Sequence, residues 1–317
     1  MNIPTAHRFF VFALCLFTIL GAVSCRYIGE PVDLEWNDLV SPYRHDLQMD
    51  DYKLHYIDIG KGEPLLMLHG FASSGYAWNQ QVEPLRRAGK RLILVDLPGQ
   101  GFSDVPPRSF MPTVENMAAE VIKLADHLKL KKFSLLGCSM GGGLTLYLCW
   151  KYPERVERAA VIDPASFDQE RPWALGLLTN PVTGPVVAQG ASKQTIGAGL
   201  KDTAVQKQVI TDTFVDEYTR PLNKPGYKAF ISRLMREFFS KEFEKMVLSY
   251  HTLRTPLLII WGKQDPWIPA EFCPRLATLA PNAHCEMIDE CGHMPHMEHP
   301  EITAKLLTDF FSAREAE

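Results

Sequence analysis

Short apolar runs recur along this chain, and segments with helical spacing lie between them. Leu65–Leu68, Leu92–Val95, Ala159–Ile162 and Leu257–Trp261 are uninterrupted apolar stretches, and Phe133–Leu136 is broken only by Ser134. Runs this short, bounded by turn residues, predict buried strands. His284–Ile288 predicts one more, and Leu47–Met49 with Lys53–Ile57, divided by Asp50-Asp51, predicts an early hairpin. Helical patterns fall at Tyr76–Arg87, at Thr113–Leu128, within Gly137–Tyr152 as far as Pro153, near Ala270–Ala280 and at Glu301–Phe311. Thr113–Leu128 is the clearest: Thr113 can cap it, and Val114, Met117, Val121, Leu124 and Leu128 repeat on one face. Strands alternating with helices predict an α/β class, a mostly parallel central sheet with helices on both faces.

The rhythm stops between residues 165 and 250. Pro172, Pro181, Pro185 and Pro221 punctuate that region, and Phe230–Met246 reads as helical. It predicts a helical cap inserted into a core made of residues 45–164 and 251–317. Phe167, Trp173, Leu175, Leu177 and Leu178 offer either an apolar pocket wall or the insertion's own small core, the second being favoured.

Residues 1–25 follow another pattern. After a weakly basic start, Phe9–Val23 is almost wholly apolar, and small residues lead to Cys25. That order predicts a secretory signal. The stretch is shorter than the ~20 residues of a spanning helix. Ala22-Val23-Ser24-Cys25 resembles a bacterial lipobox, whose cysteine is lipidated. The expectation is an exported, membrane-associated protein held by lipidated Cys25, with an uncleaved anchor or a plain cleaved signal as alternatives. Residues 26–44, with Pro31 and Pro42, predict a linker.

Composition works by exclusion. At 46% hydrophobic and 22% charged, the 317 residues make an ordinary globular chain. A net charge of −4 lacks the basic footprint of a nucleic-acid binder. Beyond the N-terminal segment, Cys138, Cys149, Cys273, Cys285 and Cys291 match no zinc spacing and are expected to be mostly small buried residues. Cys285 with Cys291 is the local pair to examine for a disulfide in an exported protein.

One segment carries specific chemistry. Gly137-Cys138-Ser139-Met140-Gly141 follows a predicted strand and opens a predicted helix, the setting of a G-x-S-x-G nucleophile elbow. The glycines let strand and helix approach closely, and the tight turn exposes the serine. A serine hydroxyl needs a base to take its proton, and this kind of fold places an acid and then a histidine later in the chain. Asp265 and His293 stand in that order, each just beyond a predicted strand, where ligands gather in open α/β sheets. The residue after the nucleophile, Met140, supplies one backbone N–H to an oxyanion hole. His296 and His299 follow His293 but lack the glutamate of a zincin motif, and Gly99-Gln100-Gly101 is no dinucleotide fingerprint. Neither a metal nor a cofactor is expected.

With these residues in place, the chain resembles the α/β-hydrolase fold-1 family. The matching blocks are His69-Gly70-Phe71, Asp96-Leu97-Pro98-Gly99-Gln100-Gly101-Phe102-Ser103-Asp104, Gly137-Cys138-Ser139-Met140-Gly141-Gly142, Trp261-Gly262-Lys263-Gln264-Asp265, Gly292-His293-Met294-Pro295 and Glu298-His299-Pro300. They run in the family's order from about His45 to Phe311. The resemblance implies Ser139 as nucleophile, His293 as base, Asp265 as the acid, Phe71 as the second oxyanion N–H, and a cap after the sixth strand. Glu217-Tyr218-Thr219-Arg220-Pro221-Leu222 also looks like cap sequence of this family. Asp163 is the competing acid, set second because Asp163-Pro164 is a common strand-ending pair there. His69 is assigned to loop support, and Asp104 to loop stabilisation. A serine at 139 excludes relatives with an aspartate nucleophile, such as epoxide hydrolases and haloalkane dehalogenases. The main reading is a hydrolase of carboxylic esters, acting on a small-molecule ester or lipid through an acyl-enzyme. The alternatives are a carbon–carbon bond hydrolase of the same fold and a non-catalytic binding protein.

Overall fold

The computed structural model describes residues 33–168 and 173–313, without the side chains of residues 173–175. The signal-like segment, Cys15 and Cys25, the linker as far as residue 32, and the side chains of Trp173 and Leu175 lie outside the described residues. No helix among those described is long and apolar enough to cross a membrane.

Eight strands form one sheet in the order β1-β2-β4-β3-β5-β6-β7-β8. They are β1 (Arg44–Gln48), β2 (Lys53–Gly60), β3 (Glu63–Leu68), β4 (Lys90–Val95), β5 (Phe133–Cys138), β6 (Val156–Ile162), β7 (Leu257–Gly262) and β8 (Ala283–Ile288). β1 and β2 are the expected hairpin and pair antiparallel; every pair from β4 to β8 is parallel. The apolar runs need no alternation, because both faces are covered. Leu66, Leu68, Ile93, Val95, Leu135, Val161 and Ile259 join one core, while Leu65, Met67, Leu92, Leu94, Leu136, Ile162 and Ile260 join the other. Successive side chains of a strand point to opposite faces, which sorts neighbours into separate cores.

Along the chain the helices are α1 (Leu34–Val40), α2 (Val82–Arg87), α3 (Val114–His127), α4 (Met140–Lys151), α5 (Trp173–Thr179), α6 (Thr183–Gln189), α7 (Lys193–Thr203), α8 (Asp212–Thr219), α9 (Tyr227–Glu237), α10 (Lys241–Leu248), α11 (Phe272–Leu279), α12 (Pro295–Glu298) and α13 (Pro300–Ser312). Helices α5 to α10 fall between β6 and β7, where the insertion was expected. The Thr113 side chain caps α3, accepting the Asn116 N–H.

Four expectations need correction. Residues 34–43 are not linker: α1 and a 3-10 turn bury Trp36 and Val40 in the second core. Tyr76–Arg87 is not one helix, because Pro84 cannot donate and fits only in a first turn, so α2 begins at Val82 after a separate 3-10 turn at Gly75–Trp78. Phe230–Met246 breaks at Phe238–Ser240, where Ser240 caps α10. Cys285 bonds Cys273, not Cys291, tying α11 to edge strand β8. Cys291 is buried and free, as are Cys138 and Cys149.

Candidate active site

Ser139 sits between β5 and α4 with φ +52° and ψ −118°, a backbone conformation a non-glycine residue rarely adopts. Its neighbours hold it there. Ser139 N–H donates to Ile162 C=O, and Ser139 C=O accepts from Gly143 and Ala165. The two motif glycines have a steric reason. A Cβ on Gly137 would stand 2.3 Å from Gly141 O, and one on Gly141 2.1 Å from Leu68 O.

The structure brings Asp265 and His293 to the same end of the sheet. Asp265 Oδ2 lies 2.7 Å from His293 Nδ1, while Oδ1 accepts the N–H groups of Trp267 (2.7 Å) and Ile268 (3.0 Å). A carboxylate that already accepts two amides accepts again here, so Nδ1 of the ring is the donor and Nε2 is turned away from Asp265. His293 N–H donates to Thr203 C=O at the end of α7. The loop before it is gathered by buried Glu298, which accepts N–H groups from Gly292, Met294, Val205 and Gln206. Ser139 and His293 line one cavity but make no hydrogen bond to each other among the described residues. Such bonds are often long before substrate binds.

Asp163 also lies here, with φ +42° and no exposed surface. Its Oδ1 accepts Gly262 N–H, and its Oδ2 has no partner. Burial, and then the charge of Asp265, pushes its carboxyl well above the usual carboxylate range. That favours its neutral form, and no hydrogen bond joins it to the imidazole among the described residues. Asp163, Asp265 and His293 offer ligand atoms within 4.8 Å of one another. Asp265 bonds His293 and two backbone amides.

The loop after β3 approaches Ser139 closely: a Cβ on Gly70 would meet Ser139 Cβ at 3.4 Å. The N–H groups of Phe71 and Met140 donate to no acceptor among the described residues. His69 is fully buried. Its Nε2 accepts Leu97 N–H at 3.0 Å, so its Nδ1–H donates to Gly70 C=O at 2.7 Å. Burial pushes its pKa down, against the pull of Asp96 and the Gly70 carbonyl. It is a neutral loop support, as assigned. Asp104 accepts Lys53 N–H from β2, again a loop contact. Asp96 closes the adjoining loops by accepting Gly75 and Phe102 N–H and His55 Nδ1. Burial alone would raise its pKa, but His55 and its other partners bring it to about 2.

The cavity is lined by Gly70, Phe71, Leu200, Phe214, Tyr218, Trp267 and Met294 around Ser139 and His293, with His296 behind. Among the described residues, none that lines it is Lys or Arg. Of the residues considered from sequence, Phe167, Leu177 and Leu178 do not line it, and the side chains of Trp173 and Leu175 lie outside the described residues. Phe167 packs on Tyr250 and Phe272, and Leu177 is exposed. Leu200, Phe214, Trp267 and Met294 were missed. The first two sit on weakly patterned cap helices, but Trp267 and Met294 follow Asp265 and His293 closely enough to have been suspected.

The family model described as alpha/beta hydrolase fold matches residues 63–300. The chain belongs to this family. Among its α/β-hydrolase relatives, an uncharacterized hydrolase of Bacillus subtilis is 28% identical, over 82% of this chain and 93% of that protein. A 2-hydroxy-6-oxononadienedioate/2-hydroxy-6-oxononatrienedioate hydrolase of Paraburkholderia phymatum is 28% identical over 82% of this chain and 91% of its own length. The structure of a meta-cleavage product hydrolase from Pseudomonas fluorescens superposes with a TM-score of 0.71, covering 84% of this chain and 97% of that one at 22% identity, a likeness that shows the fold.

Proposed function

We propose that this α/β hydrolase is a serine hydrolase that cleaves esters of an uncharged acyl group. The observation that carries the reading is Ser139 opening, beside the His293–Asp265 pair, on a cavity whose lining among the described residues holds no Lys or Arg. Ser139 Oγ attacks the acyl carbonyl and gives its proton to His293 Nε2, while Asp265 holds the Nδ1–H. The N–H groups of Phe71 and Met140 receive the negative charge that builds on the carbonyl oxygen. His293 then protonates the leaving alcohol, and water activated by the same ring releases the acid and restores Ser139.

The second reading is hydrolysis of a carbon–carbon bond next to a ketone, and the names of the relatives favour it over ester cleavage. It uses the same serine, histidine and acid. Against it stands the cavity lining: a dienedioate brings two carboxylates, and burying a charge without a partner is costly. A non-catalytic role leaves the assembled triad without a purpose. The test is a comparison of kcat/KM for p-nitrophenyl esters of graded chain length with that for ring-cleavage dienoates, with and without the terminal carboxylate. The ester reading expects ester cleavage that Ser139→Ala abolishes and little turnover of the dicarboxylate. Faster dienedioate turnover than ester turnover would install the carbon–carbon reading.

We further propose that the protein works outside the reducing cytoplasm, tethered through residues 1–25. The Cys273–Cys285 disulfide supports an oxidising compartment. Intact mass of protein from its host tests this: acyl chains on an N-terminal Cys25 are expected, and an unmodified Met1 overturns the lipoprotein.

A further inference from the structure

Two peptide planes meet at Phe71, and each is gripped at its carbonyl. Gly70 C=O is held by His69, from the core. Because the peptide is planar and trans, fixing that carbonyl aims the Phe71 N–H the opposite way. Phe71 C=O accepts the hydroxyl of Tyr218 at 2.7 Å, and Tyr218 belongs to α8 of the cap. The N–H of that same second plane, on Ala72, donates to Gln100 Oε1 at 2.7 Å. Ala72 has φ +56°, so the turn is strained and the anchors hold it against relaxing. Tyr227 of α9 adds only a long contact, 3.4 Å, to Ala72 C=O.

Helix α8 is itself fixed. Glu217, beside Tyr218, accepts Asp33 N–H and pairs with Arg220, whose guanidinium stacks 4.8 Å from the Phe102 ring. The Tyr218 ring packs on Phe214, and Phe214 on Tyr76, whose hydroxyl donates to Asp33. Burial pushes the Tyr218 phenol up, so it stays a donor at any working pH.

We infer that Tyr218 is a positioning residue: its hydroxyl holds the Phe71–Ala72 peptide so that the Phe71 N–H faces the reacting carbonyl, and seating of the cap completes the oxyanion hole. This rests on the proposed role of Phe71 as an oxyanion donor. The cap is then part of the catalytic scaffold as well as the wall of the pocket. Losing an oxyanion donor outright costs about 10²–10³ in kcat; loosening one costs less, roughly tenfold.

The experiment compares wild type with Tyr218→Phe, which removes only the hydroxyl, and with Gln100→Leu, which frees the same peptide from the core side. The rates to be read are kcat and KM on a p-nitrophenyl ester, inhibition by a boronic acid that mimics the tetrahedral state, and the rate of fluorophosphonate labelling. The expected result is a roughly tenfold fall in kcat, matched by weaker boronate binding and slower labelling, with KM within about twofold and an unchanged melting temperature. Tyr227→Phe should change little. A raised KM with unchanged kcat would make Tyr218 a substrate contact only, and unchanged kcat and boronate affinity would overturn the inference. If Tyr218→Phe melts early, Gln100→Leu decides by the same readouts. Wild type that neither hydrolyses nor labels through Ser139 sinks the underlying reading instead, and is distinguished by Ser139→Ala behaving like wild type.

Discussion

The core and the cap meet at one cavity but build their sides of it differently. The core places Ser139, Asp163, Asp265 and His293 just past the ends of β5, β6, β7 and β8, and fixes them with backbone hydrogen bonds and glycines that leave no room for a Cβ. The cap contributes Leu200, Thr203, Phe214 and Tyr218 from short helices, where little but packing holds the apolar side chains. The proposed function thus puts the chemistry where the backbone is most constrained and substrate selection where it is less so. Tyr218 reaches across to grip a core loop from the cap side, beside other crossings such as His293 N–H to Thr203 C=O and Lys224 Nζ to Gly101 C=O.

The largest expected effect lies inside the core and separates two neighbouring acids. Asp265→Asn should lower kcat by about 10⁴, because the amide no longer holds His293 in the useful tautomer. Asp163→Asn keeps the acceptor for Gly262 N–H, removes a carboxyl that does not bond His293, and should cost less than about tenfold. Steady-state rates of the two variants check this, and the reverse ranking would transfer the acid's role to the end of β6.

Next comes the edge of the core. Removing the Cys273–Cys285 bond by a double alanine substitution frees a loop of sequence separation 12 and should cost about 3 kcal/mol, read from urea unfolding. Activity of the folded fraction should survive, since neither sulfur reaches the cavity. A variant that stays folded but loses its turnover would place the disulfide in the active-site scaffold.

A smaller effect is expected from the cap wall. Phe214→Ala opens the cavity and should shift the preferred acyl chain, changing relative kcat/KM between chain lengths by about tenfold. Fluorophosphonate labelling of Ser139 should persist. Equal losses across all chain lengths would make Phe214 a structural residue and weaken the division between core and cap.

The smallest effect is a slope. Burial pushes the pKa values of His69 and His296 down, that of His296 to about 3, which favours their neutral forms in the folded protein. The unfolded chain protonates its histidines below about pH 6.5. Between those values the unfolded state binds more protons, so stability falls as pH falls, by at most about 1.4 kcal/mol per pH unit for each group. His296→Gln should flatten that acid limb in a series of thermal melts. An unchanged limb would mean that His296 already carries its proton when folded.

What was legible in the sequence follows the same division. The elbow could be read because its demands are local: five consecutive residues encode the strand, the turn, the exposed serine and the close helix. Thr113 and the α3 stripe were equally local. Pro84 was a local signal passed over, and the docking of Trp36 and Val40 depends on a core formed by residues far along the chain. The cysteine pairing failed for that reason too. Proximity in sequence favoured Cys285 with Cys291, whereas α11 folds back on β8 and brings Cys273 to a Cα separation of 5.7 Å from Cys285. Tyr218 lies 147 positions from its acceptor, and no pattern within α8 announces the contact.

The account stands or falls on Ser139 as an activated nucleophile. Treatment of the folded protein with a fluorophosphonate, followed by peptide mass mapping, tests it most directly. One adduct on the peptide carrying Gly137-Cys138-Ser139-Met140-Gly141 is expected, absent from Ser139→Ala and strongly slowed in His293→Ala. An unlabelled protein that still hydrolyses an ester, or a label on another residue with hydrolysis intact in Ser139→Ala, would contradict it.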